Sequence, residues 1–149
     1  MTMTYNLHDR LGYKLTLAAQ VNNQLLVNLL SQLNLTRQMW CVLVAVGEQQ
    51  LSQPSDIADY IGIQRAAVSR TLKDMHNKGL LQRISDPKNG KQILVSLTDT
   101  GQTLLAQSLL LSEQSTQRLN TKLNDSERQE LDRLLSKYLS GPMDPPSRI

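Results

Sequence analysis

The stretch LSQPSDIADYIGIQRAAVSRTLKDMHNKGLLQRISDPKNGKQILVSLT, Leu51 to Thr98, decides the fold of this chain. Ser52 offers a hydroxyl to a first-turn backbone N–H, and Pro54 is tolerated early in a helix. A short helix is therefore expected here, with Ile57, Ala58 and Ile61 on its buried face. Gly62 suits a tight connection, because a residue without Cβ takes positive φ at no steric cost. A second helix then starts near Gln64. Its Val68, Leu72 and Met75 fall at i, i+4 and i+7, one apolar stripe that packs on the first helix. Arg65, Ser69, Arg70 and Lys73 lie off that stripe. Gly79 ends the helix behind Lys78, a cation at the negative end of the helix dipole, and Leu80 returns to the core.

Two short strand patterns occupy residues 81–97, with Ile93, Val95 and Leu97 alternating in the second. Between them lies Asp86-Pro87-Lys88-Asn89-Gly90, where Asn89-Gly90 is a strong hairpin signal. Ser-capped helices and Asn-Gly turns occur in proteins of every function. In this order and spacing they predict a winged helix-turn-helix: a mainly α fold with a small β-hairpin wing.

Charge agrees with that reading. The chain carries a net +3, yet residues 64–92 hold seven cations (Arg65, Arg70, Lys73, Lys78, Arg83, Lys88, Lys91) against Asp74 and Asp86, a net of +5, so the remainder sums to −2. Scattered bases would be an ordinary solvated surface. These are concentrated on the second helix and the wing, where phosphate neutralisation is expected.

At 149 residues the chain fits one domain, and with no Phe, one Trp and four Tyr its core must be built from Leu, Ile, Val and Met. No signal-peptide pattern and no run long enough to span a bilayer is present, so a cytoplasmic protein without a membrane partner is expected. The single cysteine, Cys41, has no partner for an internal disulfide. His8 and His76 lack thiol or acidic company at metal-ligand spacing, so no metal or other cofactor is expected. No catalytic triad, paired carboxylates, phosphate loop or CxxC pattern appears, which argues against an enzyme.

From about Tyr5 to Leu30 the sequence is helix-compatible, and Leu11, Leu15, Ala18, Asn22, Leu25 and Leu29 repeat with spacings of four, three, four, three and four. Val21, Leu26 and Leu30 widen this face, so the helix is expected to serve both its own core and a partner, with Asn22 fixing register. Thr98 can cap a helix that continues through Leu104, Leu105, Leu109, Leu110 and Leu111, and Gly101 in its first turn allows close backbone approach. Asn124 and Glu127 have capping-box spacing ahead of Leu131, Leu134, Leu135, Tyr138 and Leu139, and Gly141-Pro142 ends that helix. These faces exceed what one chain can cover, which predicts a homodimer. The organisation expected for 1–149 is a single domain: a winged helix-turn-helix over about 35–98, dimerisation helices over about 5–30 and 99–140, and a tail over 141–149.

Leu35-Thr36-Arg37-Gln38, Ile57-Ala58-Asp59-Tyr60-Ile61-Gly62-Ile63, Val68-Ser69-Arg70-Thr71-Leu72, Lys78-Gly79-Leu80, Ser85-Asp86-Pro87-Lys88 and Leu97-Thr98-Asp99-Thr100-Gly101 stand in the order that resembles the MarR family of winged-helix regulators. The resemblance covers nearly the whole chain. It implies a dimer on a pseudo-palindromic operator of double-stranded DNA, usually a repressor, released by a small and often aromatic acid. It also implies a recognition helix in the major groove, a wing tip in the minor groove, and a DNA-contacting role for Arg70.

Physical chemistry supports the same residues. Arg70 can grip phosphate or the edge of guanine bidentately, Gln64 and Ser69 make adaptable polar contacts, and Arg65 and Lys73 suit the phosphate walls. An ion pair with a carboxylate such as Asp86 is the competing role for Arg70. The wing departs from the family: where relatives commonly have Asp-Arg-Arg, this chain has Asn89-Gly90-Lys91. Lys88 and Lys91 are therefore expected on phosphates, without arginine's planar fork. Tyr13, Lys14, Arg37, Met39 and Trp40 are the candidate lining of an effector cavity. Cys41 reads as an inert core thiol. Two other functions fit the same sequence: a dimeric winged-helix module that binds protein, and a regulator switched by oxidation of Cys41.

Overall fold

The computed structural model describes residues 5–141; the expected tail beyond Gly141 lies outside them. A 3-10 turn at Leu7–Asp9 precedes α1 (Leu11–Ser31), α2 (Arg37–Gly47), α3 (Pro54–Ile61), α4 (Arg65–Asn77), β1 (Leu81–Ser85), β2 (Ile93–Leu97), α5 (Asp99–Lys122) and α6 (Asp125–Leu139).

The continuous helix expected from Tyr5 does not form. The Asn6 side chain accepts the His8 N–H at 3.1 Å and donates to the Asp9 carboxylate at 2.8 Å, which closes a separate turn, and Arg10 is extended with ψ 131°. The helix begins at Leu11. Leu26 and Leu30 are the buried residues of α1, while Leu11, Leu17 and Val21 face outward. Asn34 then takes a φ of 54°, the Leu35 N–H reaches back to the Leu30 carbonyl at 3.1 Å, and buried Leu35 anchors the corner. Thr36 caps α2 by accepting the Met39 N–H at 3.1 Å.

Helix α2 is the centre of the fold. Its Met39, Val42, Leu43, Ala45 and Val46 are buried, and it packs on α1, α3, α4, α5 and β2. Ile57 and Ala58 of α3 and Val68, Leu72 and Met75 of α4 complete the core with Leu80, Leu81, Val95 and Leu105. Gly62 joins α3 to α4 at a φ of 77°, as its place in the sequence requires. Ser52 is not the cap of α3. Pro54 occupies the first helical position, so the cap falls on Gln53, which makes no side-chain bond, and the Ser52 carbonyl instead accepts the Val95 N–H of β2 at 2.8 Å.

Strands β1 and β2 pair antiparallel from Leu81↔Leu97 to Ser85↔Ile93. Only the inner end of the hairpin is in the core, so the expected alternation in β2 is incomplete: Val95 is buried, Leu97 is half-buried and Ile93 is exposed. Asn89-Gly90 does not make a two-residue turn. Seven residues, 86–92, separate the strand ends at Ser85 and Ile93, and Gly90 does not take positive φ. The loop is held by Asp86, whose carboxylate accepts the Lys88 N–H at 2.8 Å and whose backbone N–H meets the Gln92 carbonyl at 2.8 Å. An aspartate with a free neighbouring amide competes successfully with the Asn-Gly turn.

The cap box of α6 forms as read: the Asn124 side chain accepts the Glu127 N–H at 2.9 Å, and the Glu127 carboxylate accepts the Asn124 N–H at 2.8 Å. No residue of α6 is buried, and the helix runs through Leu139 and ends ahead of Gly141.

Leu43→Ala, at a position with no exposure, is expected to cost about 2–5 kcal/mol, whereas Leu110→Ala, 67% exposed on α5, should stay within about 0.5 kcal/mol. Urea unfolding of the two variants beside the wild type measures the contrast; equal losses would place the core elsewhere.

Candidate nucleic-acid interface

The basic surface follows from helical periodicity. Once Val68, Leu72 and Met75 are turned inward, Arg65, Ser69, Arg70 and Lys73 must point outward, and all four are exposed. Gln64 stands at the N-cap of α4 with its side chain unused by the helix. Lys88 and Lys91 are exposed on the loop of the hairpin, and Arg83 is exposed on β1. The sequence reading counted Arg83 in the charge of this segment but gave it no place in the site.

Among the described residues Arg70 has no carboxylate partner within ion-pair distance. The ion pairs among the described residues, Arg128–Asp125 and Arg133–Glu130, both lie on α6. Asp86, the acid set against Arg70 on sequence grounds, uses its carboxylate on the Lys88 amide instead. The cations of α4 and the wing are thus left with water, a state that favours exchange for phosphate oxygens.

His76 carries a role that its exposure alone conceals. Its Nδ1 lies 3.0 Å from the Leu81 carbonyl, a hydrogen bond in which Nδ1 bears the proton, so the ring ties the last turn of α4 to the start of β1. A histidine five residues before a strand opens carries no sequence signal for this contact.

The five residues read as an effector lining fall into two groups. Tyr13 and Lys14 sit in the first turn of α1, where Tyr13 meets the His8 ring edge-on at 5.0 Å. Arg37, Met39 and Trp40 belong to α2, beyond the far end of α1, and the run from Tyr13 to Leu30 alone spans about 25 Å of helix. Within one chain the two groups do not meet. Arg37 and Trp40 lie one turn apart, and the Arg37 Nε and Trp40 Nε1 N–H groups are both buried without an acceptor among the described residues. Met39 beside them is buried in the core.

Cys41 is partly buried on α2, and burial pushes its thiol above the ordinary value; Arg37 pulls it back and loses to desolvation. Among the described residues there is no cluster of His, Cys, Asp or Glu that could hold a metal ion, and no helix is long and apolar enough to cross a membrane. A second surface feature lies away from the cations: Leu11 and Leu15 of α1 with Leu131, Leu134, Leu135 and Tyr138 of α6 line an apolar groove of about 650 Å³.

Comparison with known proteins places these features in context. A family model described as MarR family matches residues 33–92. The homoprotocatechuate degradative operon repressor of Escherichia coli is 23% identical over 134 residues, 90% of each chain. Among solved structures, Bordetella bronchiseptica BpsR, studied for regulation of its DNA binding by 6-hydroxynicotinic acid, superposes with a TM-score of 0.82 at 26% identity, covering 93% of this chain and 99% of that one. An E. coli MarR variant complexed with operator DNA superposes with a TM-score of 0.80 at 27% identity, covering 87% and 94%.

Because the thiolate is the reactive form and the Cys41 pKa is raised, alkylation of Cys41 by iodoacetamide at pH 8 should run slower than that of an unstructured cysteine peptide. The rate should climb only as pH passes above the ordinary thiol value, and Arg37→Ala should slow it further. Labelling as fast as the peptide would show an open, activated thiol.

Proposed function

The chain belongs to the MarR family of winged helix-turn-helix transcriptional regulators, and from that membership we propose that it acts as a dimeric repressor that holds a pseudo-palindromic operator and releases it when a small acidic effector binds. The observation that carries the reading is the set of cations on α4 and the wing that no carboxylate among the described residues neutralises. Gln64, Ser69 and Arg70 enter the major groove at the start of the recognition helix. Arg65 and Lys73 take the phosphate walls, while Lys88, Lys91 and Arg83 take the backbone beside the wing. E. coli MarR, of the same fold, has been captured on operator DNA.

Dimer formation is supported by the uncovered faces of α1 and α6. Leu11 is 72% exposed and Tyr138 63%, beside a groove whose lining is otherwise leucine and a lysine stem. A second copy covering those faces removes contiguous apolar surface from water, the dominant favourable term in association. Two chains related by a two-fold axis then present two recognition helices to two half-sites.

Effector release is supported by the two orphaned N–H donors of α2. A buried donor without an acceptor costs about 1–3 kcal/mol, and a carboxylate bound at this end of α2 would offer such donors an acceptor. One relative is a homoprotocatechuate degradative operon repressor, and the DNA binding of BpsR is regulated by 6-hydroxynicotinic acid, in line with an acidic aromatic ligand at this end of α2. Tyr13 and Lys14 join such a site only if the partner's α1 brings them there. An oxidation switch at Cys41 draws no support from a thiol whose pKa is raised by burial.

Titration of the purified protein against DNA from its own upstream region, with a scrambled competitor and a salt series, tests the reading. Wild type should prefer the specific DNA, and Arg70→Ala should weaken that binding by about 5- to 150-fold, the range of one bidentate base contact. Lys88→Gln and Lys91→Gln should each lower the slope of log affinity against log salt by about 0.9. Equal binding of wild type and Arg70→Ala would remove Arg70 from the reading surface, and binding without preference for any DNA would favour a protein-interaction module.

A further inference from the structure

Three consecutive carbonyls at the end of the recognition helix are occupied. The Gly79 carbonyl accepts the Thr98 Oγ1 hydroxyl at 2.6 Å, the Leu80 carbonyl accepts the Thr98 N–H at 3.1 Å, and the Leu81 carbonyl faces His76 Nδ1 at 3.0 Å. The same Thr98 hydroxyl accepts the Gly101 N–H at 3.1 Å and so caps α5. One side chain therefore closes the last turn of α4 and opens the first turn of α5.

The joint is also tight sterically. A Cβ on Gly101 would overlap the Leu80 carbonyl oxygen, so α5 approaches the end of α4 backbone to backbone. Gly79, with a φ of 72°, and Leu80 form the helix-ending turn in which the Gly79 N–H bonds to the His76 carbonyl at 2.9 Å and the Leu80 N–H to the Met75 carbonyl at 2.9 Å. The Leu81↔Leu97 pair closes the loop on its other side. Nothing in this ring is a flexible linker.

We propose that Thr98, seated against Gly101, is the positioning residue that fixes the reading head on α5 and thereby sets the half-site spacing this protein accepts. The inference rests on the reading of the chain as a dimeric operator-binding protein. If α5 belongs to the dimer frame and α4 carries the DNA contacts, the angle between them is translated into the distance between two heads. The recognition helix is an arm of about 20 Å, so a tilt of about 5° at its end moves each head about 2 Å, and both together about the 3.4 Å rise of one base pair. A hydroxyl that is bonded on both sides holds that angle. Valine at the same position keeps the shape and loses both bonds, while serine keeps them.

The experiment uses the full-length protein and a two-fold operator selected by the wild type from a random pool, remade with its half-sites moved together or apart by one base pair. Wild type and Thr98→Ser should prefer the selected spacing by about tenfold or more, while Thr98→Val should flatten that ratio by about fivefold and keep single half-site affinity within about twofold. Gly101→Ala, which wedges the same joint, is the second variant, and it should change the preferred spacing or flatten the preference. A melting curve for each variant establishes that it is folded at the assay temperature. If Thr98→Val and Gly101→Ala lose affinity by the same factor at every spacing, the joint is merely structural and the proposal falls. If the wild type itself selects no operator, the functional reading fails, and the role of Thr98 with it.

Discussion

Burial of the Val68, Leu72 and Met75 stripe against α2 and α3 is the constraint on which the rest of the molecule depends. It fixes the rotation of α4 about its own axis, and with that rotation fixed the charged residues have one direction left. The stripe also fixes the end of the helix: Met75 supplies the carbonyl that closes the turn at Leu80, and Leu80 must drop into the core beside it. The wing follows because Leu81 starts β1 in the same core. A basic, outward-facing recognition surface is thus the geometric complement of an apolar interior, and needs no separate interaction to hold it in place.

The periodic parts of the fold were legible in the sequence because periodicity is a local property. The α3–Gly62–α4 unit, the stop at Gly79 and the Asn124–Glu127 box all stand where the residues put them. What the sequence did not yield depended on partners far along the chain or on competition between two good local signals. Ser52 is a suitable cap by type, but Pro54 moves the cap to Gln53, and β2 claims the Ser52 carbonyl. Asn89-Gly90 is a good turn, but the Asp86 carboxylate closes a wider loop first. Asn6 stops the first helical stretch before Leu11 by using its amide on His8 and Asp9.

The candidate site divides along the same line. The cations of α4 were legible because they lie on one helix whose buried face was known. The Arg70–Asp86 alternative was settled only by the loop that takes Asp86 away. Tyr13 and Lys14 were grouped with Arg37 and Trp40 by residue type, and helix length separates them within one chain. The double use of Thr98 was half visible: its cap on α5 is a local signal, whereas its bond to the Gly79 carbonyl spans nineteen residues.

Under the proposed function, a signal at α2 could reach DNA without a contact between the two. Arg37 and Trp40 sit at the start of the helix that packs on α1, α3, α4, α5 and β2, so whatever satisfies their N–H groups acts on the one element that touches almost every other. Cores respond to such a change by shifting between discrete packings, not by bending continuously. A small shift of α2 against α5 would bear on the α4–α5 joint, and through it on the angle of the head. In the proposed function the orphaned donors at the hub of the core would let a ligand bias the packing, and the cations at its edge would convert that bias into a changed fit to two half-sites.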